Sequence, residues 1–244
     1  MRNKVDARQF AYISGSGKGT VTALTSMQLH TLDFLDSESG GVRIAAVDLS
    51  KAFDCVTHAT IHNNACMKFD LPREVIKLIV SYLKDRTQRV KVNNNYSRFV
   101  SVSSGVPQGR VVGPILFALV IDSFSNICGN SVVFKYADDI TSLHFLRDDV
   151  DDDLQSEFDT IQSWCHKNKL TINHSKSCVL DVVTKKSLTC KPVHMSGTPV
   201  TRVSQIKILG CIFSANLKWD VYVDYLIKVA SKRVYLILSL KRAV

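Results

Sequence analysis

Two apolar runs, Val132–Tyr136 and Ile140–Phe145, stand only three residues apart, with Ala137-Asp138-Asp139 between them. Both runs are short and rich in β-branched and aromatic residues, the pattern of strands. A link this short obliges the second run to fold back antiparallel on the first. The chain therefore has to accommodate a β-hairpin with two carboxylates at its tip. A third acid, Asp48, ends another strand-like run, Val42 to Val47, that opens at Gly40-Gly41.

Carboxylates at strand ends are held by rigid elements and still face a cleft. Where several converge they repel, and a bound divalent cation relieves the repulsion. Oxygen-only donors favour Mg²⁺, which keeps some waters and takes further ligands from substrate phosphates. Two such ions about 3.5–4 Å apart can activate an attacking hydroxyl and stabilise a leaving group. Asp is also an ordinary turn residue, so a solvated hairpin tip is the plain alternative.

The rest of the chain mixes helix and strand without regular alternation. Val21, Leu24, Met27, Leu32 and Leu35 fit a helix over 20–35, and Pro72 opens another with Val75, Ile76, Ile79, Val80 and Leu83 on one face. Arg89–Val92 and Phe99–Val102 flank Asn93-Asn94-Asn95 as a hairpin. Gly113-Pro114 starts an apolar helix to about Ile127, and Leu154, Phe158, Ile161 and Cys165 are spaced as a helix. Cys178–Val183 and Ile206–Phe213 are expected strands, and Tyr222–Leu240 a closing helix. This order predicts an α+β domain with an antiparallel sheet flanked by helices.

Thirty-one Lys and Arg against 22 Asp and Glu give a net charge of +9, which favours polyanionic partners, nucleic acid foremost, with a generically basic soluble protein as the equal alternative from charge alone. Seven cysteines, an odd number with no two separated by just two residues, suit buried free thiols in a reducing compartment rather than a disulfide frame or a zinc ribbon. The N-terminus lacks a secretory apolar stretch, and the longest apolar run, Ile115–Ile121, is too short to span a bilayer. An intracellular protein, nuclear or cytoplasmic, with no membrane partner is expected.

Five segments in order carry a resemblance. Ala46-Val47-Asp48-Leu49-Ser50-Lys51-Ala52-Phe53-Asp54 is followed by Ser104-Gly105-Val106-Pro107-Gln108-Gly109 with Gly113-Pro114-Ile115-Leu116-Phe117. Tyr136-Ala137-Asp138-Asp139 comes next, then Trp164 through Lys176, then Leu209-Gly210 with Leu217-Lys218-Trp219. Together they resemble the reverse transcriptases, in the branch carried by non-LTR retrotransposons. The resemblance implies a polymerase palm, about 41–60 and 101–213, with partial fingers, about 1–40 and 60–100, and the start of a thumb, about 214–244. It implies RNA-directed DNA synthesis from RNA template, DNA primer and deoxynucleoside triphosphates, with two Mg²⁺ ions or Mn²⁺ in their place.

By the same resemblance Asp48, Asp138 and Asp139, with the Leu49 carbonyl, hold metal. Phe53 lies under the incoming sugar and excludes a 2′-hydroxyl, although a phenylalanine there is otherwise an ordinary core residue. Gln108 and Gly109 approach the nucleotide and template, Gly105 permits close backbone approach, and Lys176 protonates pyrophosphate. Departures are Arg110, where the family has a small residue, and Ile13, where a finger motif has arginine. Arg110 is expected to obstruct the loop. An upstream finger segment, a full thumb and an endonuclease are not recognised, so an incomplete copy is expected, with a catalytically silent nucleic-acid-binding remnant as the second reading.

Other constellations carry less. Gly15-Ser16-Gly17-Lys18-Gly19-Thr20 lacks the spacing of a phosphate-binding loop. His58 and His62 lack the intervening glutamate of a zinc protease and suit a helix surface. The acidic run Asp148 to Asp153 suits a solvated helix cap, with a calcium site as the lesser alternative.

Overall fold

The computed structural model describes residues 5–13, 17–38, 40–107, 109, 112–124, 129–148, 152–185 and 187–242. Helix α1 (Thr20–Ser37) leads into β1 (Gly41–Val47) and a short β2 (Leu49–Ser50), then α2 (Ala52–Cys55), α3 (His58–Asn63), a π-helical turn (Asn64–Lys68) and α4 (Arg73–Leu83). Four short strands follow, β3 (Thr87–Gln88), β4 (Lys91–Val92), β5 (Asn95–Tyr96) and β6 (Val100–Ser101), before α5 (Val112–Ile121). The centre is completed by β7 (Ser131–Tyr136), β8 (Asp139–Leu146), α6 (Leu154–Lys167), β9 (Thr171–Ile172) and β10 (Cys178–Val183). Next come β11 (His194–Met195), β12 (Thr198–Pro199), β13 (Thr201–Val203), β14 (Gln205–Ile208) and β15 (Cys211–Ser214), and α7 (Asp220–Arg242) closes the chain.

The main sheet has the order β13-β10-β1-β8-β7, antiparallel except for β10 with β13. The expected α+β class is what is found. Strand β1 sits in the middle and is buried along almost its whole length, because both sheet faces are covered. Val42 and Ile44 point into a cluster with Met27 of α1, Phe134, Leu143, Leu180 and Phe213. Ala45 and Val47, of opposite parity, point into a second cluster with Phe117 and Val120 of α5 and Phe158 and Ile161 of α6. The period of two along one strand thus divides the core into two layers. Residues 8–10 extend the sheet edge, with a parallel bridge from Gln9 to Lys135.

Several expected elements are drawn differently. The run Ile206–Phe213 is two strands: β14 and β15 pair antiparallel about Leu209-Gly210, whose φ angles of 48° and 89° form a tight reversal. The asparagine-rich hairpin reverses at Asn93-Asn94, with β4 on β5 and an outer ladder of β3 on β6. Helix α5 ends at Ile121 rather than near Ile127. The acidic run is not simply a solvated cap. Asp153 stands at the α6 N-cap without a side-chain cap bond, and Asp152 is buried in an ion pair with buried Arg43, Nη1 to Oδ1 at 2.8 Å. Burial was won by a partner 109 residues away, which local spacing cannot reveal. Of the cysteines, 165, 190 and 211 are buried, 55, 66 and 178 are half-buried, and Cys128 lies outside the described residues.

Candidate active site

Register brings the acids to one end of the sheet. Val47 opposes Ile140 across β1 and β8, so Asp48, the next residue, emerges beside Asp139. Tyr136 pairs with Asp139 across the β7–β8 hairpin, which leaves Ala137 and Asp138 as its two-residue turn. Ala137 has φ 55°, the left-handed region that such a turn normally fills with glycine. A non-glycine residue there costs about 1–2 kcal/mol, and it sets the direction in which the adjacent Asp138 leaves the sheet. Asp48 and Asp138 are half-buried and Asp139 is exposed.

Asp48 is clamped from the loop between β9 and β10. Its N–H donates to Ser177 Oγ at 3.2 Å, and its carbonyl accepts from Asn173 N–H at 2.8 Å. Ser177 is itself buried, and its hydroxyl donates to the Asn173 carbonyl at 2.8 Å. Pairing of β2 with β9 (Leu49 opposite Ile172) ties the same loop to the segment after Asp48. Lys176, on this loop, places its ammonium 3.8 Å from Asp48 Oδ2, with most of its side chain in solvent. Ser177 was not singled out from sequence. A serine next to the expected lysine was its only signal.

The segment after Asp48 turns sharply at Lys51, φ 48°, into α2. Phe53 there is half-buried and stacks on buried Phe117 of α5, ring centroids 4.5 Å apart. The Gly105 loop docks directly on this turn. Gly105 N–H donates to the Val56 carbonyl at 2.7 Å, Val106 N–H to the Phe53 carbonyl at 2.8 Å, and His58 Nε2 lies 3.0 Å from the Gly105 carbonyl. A Cβ on Gly105 would sit 2.9 Å from the Asp54 carbonyl oxygen, and one on Gly113 would sit 2.4 Å from that of Pro107. Both glycines are required by close packing of backbone on backbone. Gly109 has φ 73° in open space. Gln108 and Arg110, and with them the expected obstruction, lie outside the described residues.

The electrostatics are those of crowded acids. Although the Asp139 residue reaches solvent, partial desolvation by the protein around its carboxyl, followed by the negative charges of Asp138 and Asp48, pushes that carboxyl up to about 6. Burial and the Asp138 charge also push the Tyr12 phenol up. Phe10, Tyr12, Lys18, Pro114, Ile115 and Tyr136 line an open cleft of about 530 Å³ beside the hairpin. Lys18 is turned to the backbone, where it donates to the carbonyls of Ala7 and Gln9, so it does not act as a phosphate-loop lysine. Among the described residues no three His, Cys, Asp or Glu side chains converge closely enough to hold a metal by themselves. Mg²⁺ sites of the kind that take ligands from water and substrate phosphates do not require that they should. The donor set, carboxylates and a carbonyl with excess negative charge, fits such an ion.

A family model described as reverse transcriptase (RNA-dependent DNA polymerase) matches residues 3–213. A probable RNA-directed DNA polymerase from transposon BS of Drosophila melanogaster is 27% identical over 232 residues, covering 90% of this chain and 24% of the relative. The corresponding protein of the X-element transposon, from the same species, is 30% identical over 72% of this chain and 20% of its own length. The chain thus spans about a quarter or less of these curated relatives. In fold it is similar to telomerase from Candida tropicalis in complex with a fragment of telomeric RNA, with TM-score 0.59 and 12% identity over 84% of this chain and 34% of that one. No helix among the described residues is long and apolar enough to cross a membrane.

Proposed function

The chain belongs to the reverse transcriptase family, and from that premise we propose that it is the palm-centred core of an RNA-directed DNA polymerase of the non-LTR retrotransposon type. The observation that carries this reading is the register that sends Asp48, Asp138 and Asp139 to one end of the central sheet. In this reading residues 41–60 and 101–213 are the palm, 1–40 and 60–100 belong to the fingers, and 214–244 begin the thumb.

Asp48, Asp138 and Asp139, with the Leu49 carbonyl, would hold two Mg²⁺ ions, or Mn²⁺, between them and the substrate phosphates. Bound there, the metals would supply activation of the primer 3′-hydroxyl and charge stabilisation of the leaving pyrophosphate. The Ser177 and Asn173 contacts hold Asp48 on station. The Phe53 ring, braced by Phe117, excludes the ribose 2′-hydroxyl. The Pro107–Gly109 loop, docked through Gly105, positions nucleotide and template. Lys176 donates a proton to the departing pyrophosphate.

Primer extension on an RNA template with Mg²⁺ and deoxynucleotides tests the reading. Extension by the parent chain, lost in Asp138→Ala, is expected. Salt-sensitive binding of an RNA–DNA hybrid without extension would instead favour the silent remnant.

A further inference from the structure

One part of the molecule is not used by this chemistry. From Thr87 to Ser101 every residue is exposed, so the β3–β6 hairpin stands off the body of the protein. Its neighbourhood is strongly basic: residues 84–101 contain Lys84, Arg86, Arg89, Lys91 and Arg98 against the single acid Asp85. Two aromatic rings on it, Tyr96 and Phe99, remain 51% and 62% exposed. Such rings on a surface hairpin gain nothing from burial in the fold.

The rings and cations are organised. Arg89 lies over both rings, its guanidinium carbon 4.0 Å from the Tyr96 centroid and 4.8 Å from that of Phe99. Lys91, directly opposite Tyr96 across the ladder, adds its ammonium 5.4 Å from that ring. The arrangement pre-stacks a planar cation on two rings and leaves its N–H edge for an acceptor. Alternating aromatic faces and cations are what single-stranded nucleic acid uses, since every base has a face to stack and every nucleotide a phosphate to neutralise. At the hairpin base, Arg86, Gln88 and Ser103 share an open cleft of about 630 Å³ with Asp54, Gly105 and Pro107. That cleft joins the hairpin to the loop that docks beside Phe53.

We propose that the β3–β6 hairpin is a binding platform for single-stranded RNA, on which bases stack against Tyr96 and Phe99 while Arg89, Lys91 and Arg98 take the phosphates. Its role, to hold unpaired template near the polymerase site, rests on the function proposed above. The binding itself does not.

The test uses the full chain, a fluorescein-labelled single-stranded RNA oligonucleotide and an RNA–DNA hybrid duplex, read by anisotropy. The double variant Tyr96→Ala/Phe99→Ala should weaken single-strand binding by about tenfold to a hundredfold, the scale of losing two stacking partners, and leave duplex binding within about twofold. Tyr96→Trp/Phe99→Trp should restore the affinity, with indole fluorescence quenched by the RNA. Unchanged single-strand affinity in the alanine variant overturns the platform, as does an equal loss for both ligands, the result expected if the hairpin serves a protein partner or its change disturbs the fold. A parent that fails to extend a primer, with the single-strand loss intact, removes the polymerase reading and leaves the RNA platform standing.

Discussion

The two ends of strand β1 hold acids in opposite ways. At one end, Asp48 joins Asp138 and Asp139, and among the described residues the cation that meets this group is the solvent-exposed Lys176, at Asp48. At the other end, roughly 16 Å away at ~3.3 Å per residue, a polar row crosses four strands of the sheet. Asp181 opposes Arg43, Arg43 opposes His144, and His144 opposes Ser131. Here each acid has its partner: Arg43 binds Asp152 at 2.8 Å and Asp181 at 2.7 Å, Arg202 binds Asp181 at 2.6 Å, and Ser131 donates to Glu157 at 2.7 Å. Both ends put carboxylates on one rigid frame. In the function proposed above, the compensated end serves the fold, while the end left in excess of negative charge would keep its capacity for cations and for what cations bring.

That contrast can be broken experimentally. The largest effect is expected at the compensated end. Arg43→Ala leaves Asp152 buried without its guanidinium and should cost about 3–5 kcal/mol in denaturant unfolding. Asp138→Asn should do the reverse: extension on an RNA template falls by on the order of a hundredfold to a thousandfold, while stability holds or rises because repulsion is relieved. Ser177→Ala takes away the acceptor for the Asp48 N–H and should lose about 1 kcal/mol of stability, with extension down by roughly fivefold. A Ser177→Ala chain with parental activity would show that Asp48 needs no clamp.

The smallest effect is in pH. The Asp139 carboxyl is raised to about 6 from an ordinary carboxylate value, by partial desolvation first and then by its acidic neighbours. A raised folded value means that this group favours folding while protonated. The contribution is complete below about pH 4 and is lost as the pH rises through about 6. The parent should therefore lose some melting temperature across that window relative to Asp139→Asn. Because Asp139 is exposed, solvent screening keeps the difference small. Coincident pH profiles for the two chains would show that neither desolvation nor the neighbouring acids shift this carboxyl.

The two ends also differed in how far the sequence exposed them. The crowded end was legible, since a three-residue link between apolar runs forces a hairpin, with Asp138 in its turn and Asp139 at the first pair of its ladder. Asp48 was legible for the same reason, as the polar stop of an apolar strand. The compensated end was hidden. Asp152 sits in an acidic run that has every local mark of solvated residues, and its burial rests on Arg43, 109 residues earlier, and on the Lys191 N–H, 39 residues later. The clamp through Ser177 spans 129 residues and carries no periodic signature. The split of 206–213 into two strands escaped because its turn begins with Leu209, at φ 48°, a residue that reads as strand. Periodicity reports which residues meet apolar neighbours. It is silent on which distant charge meets which.

The division of labour is tested most directly by thermal unfolding of three chains, the parent, Asp138→Asn and Asp152→Asn, each with and without Mn²⁺. The prediction is that Mn²⁺ raises the melting temperature of the parent, as a ligand bound only by the folded state must, and raises that of Asp152→Asn by the same increment from a lower start. Asp138→Asn should melt at or above the parent without metal and gain little or nothing with it. An Asp138→Asn chain that melts well below the parent and still gains the full increment would contradict the account, because Asp138 would then be part of the fold and not of a metal site.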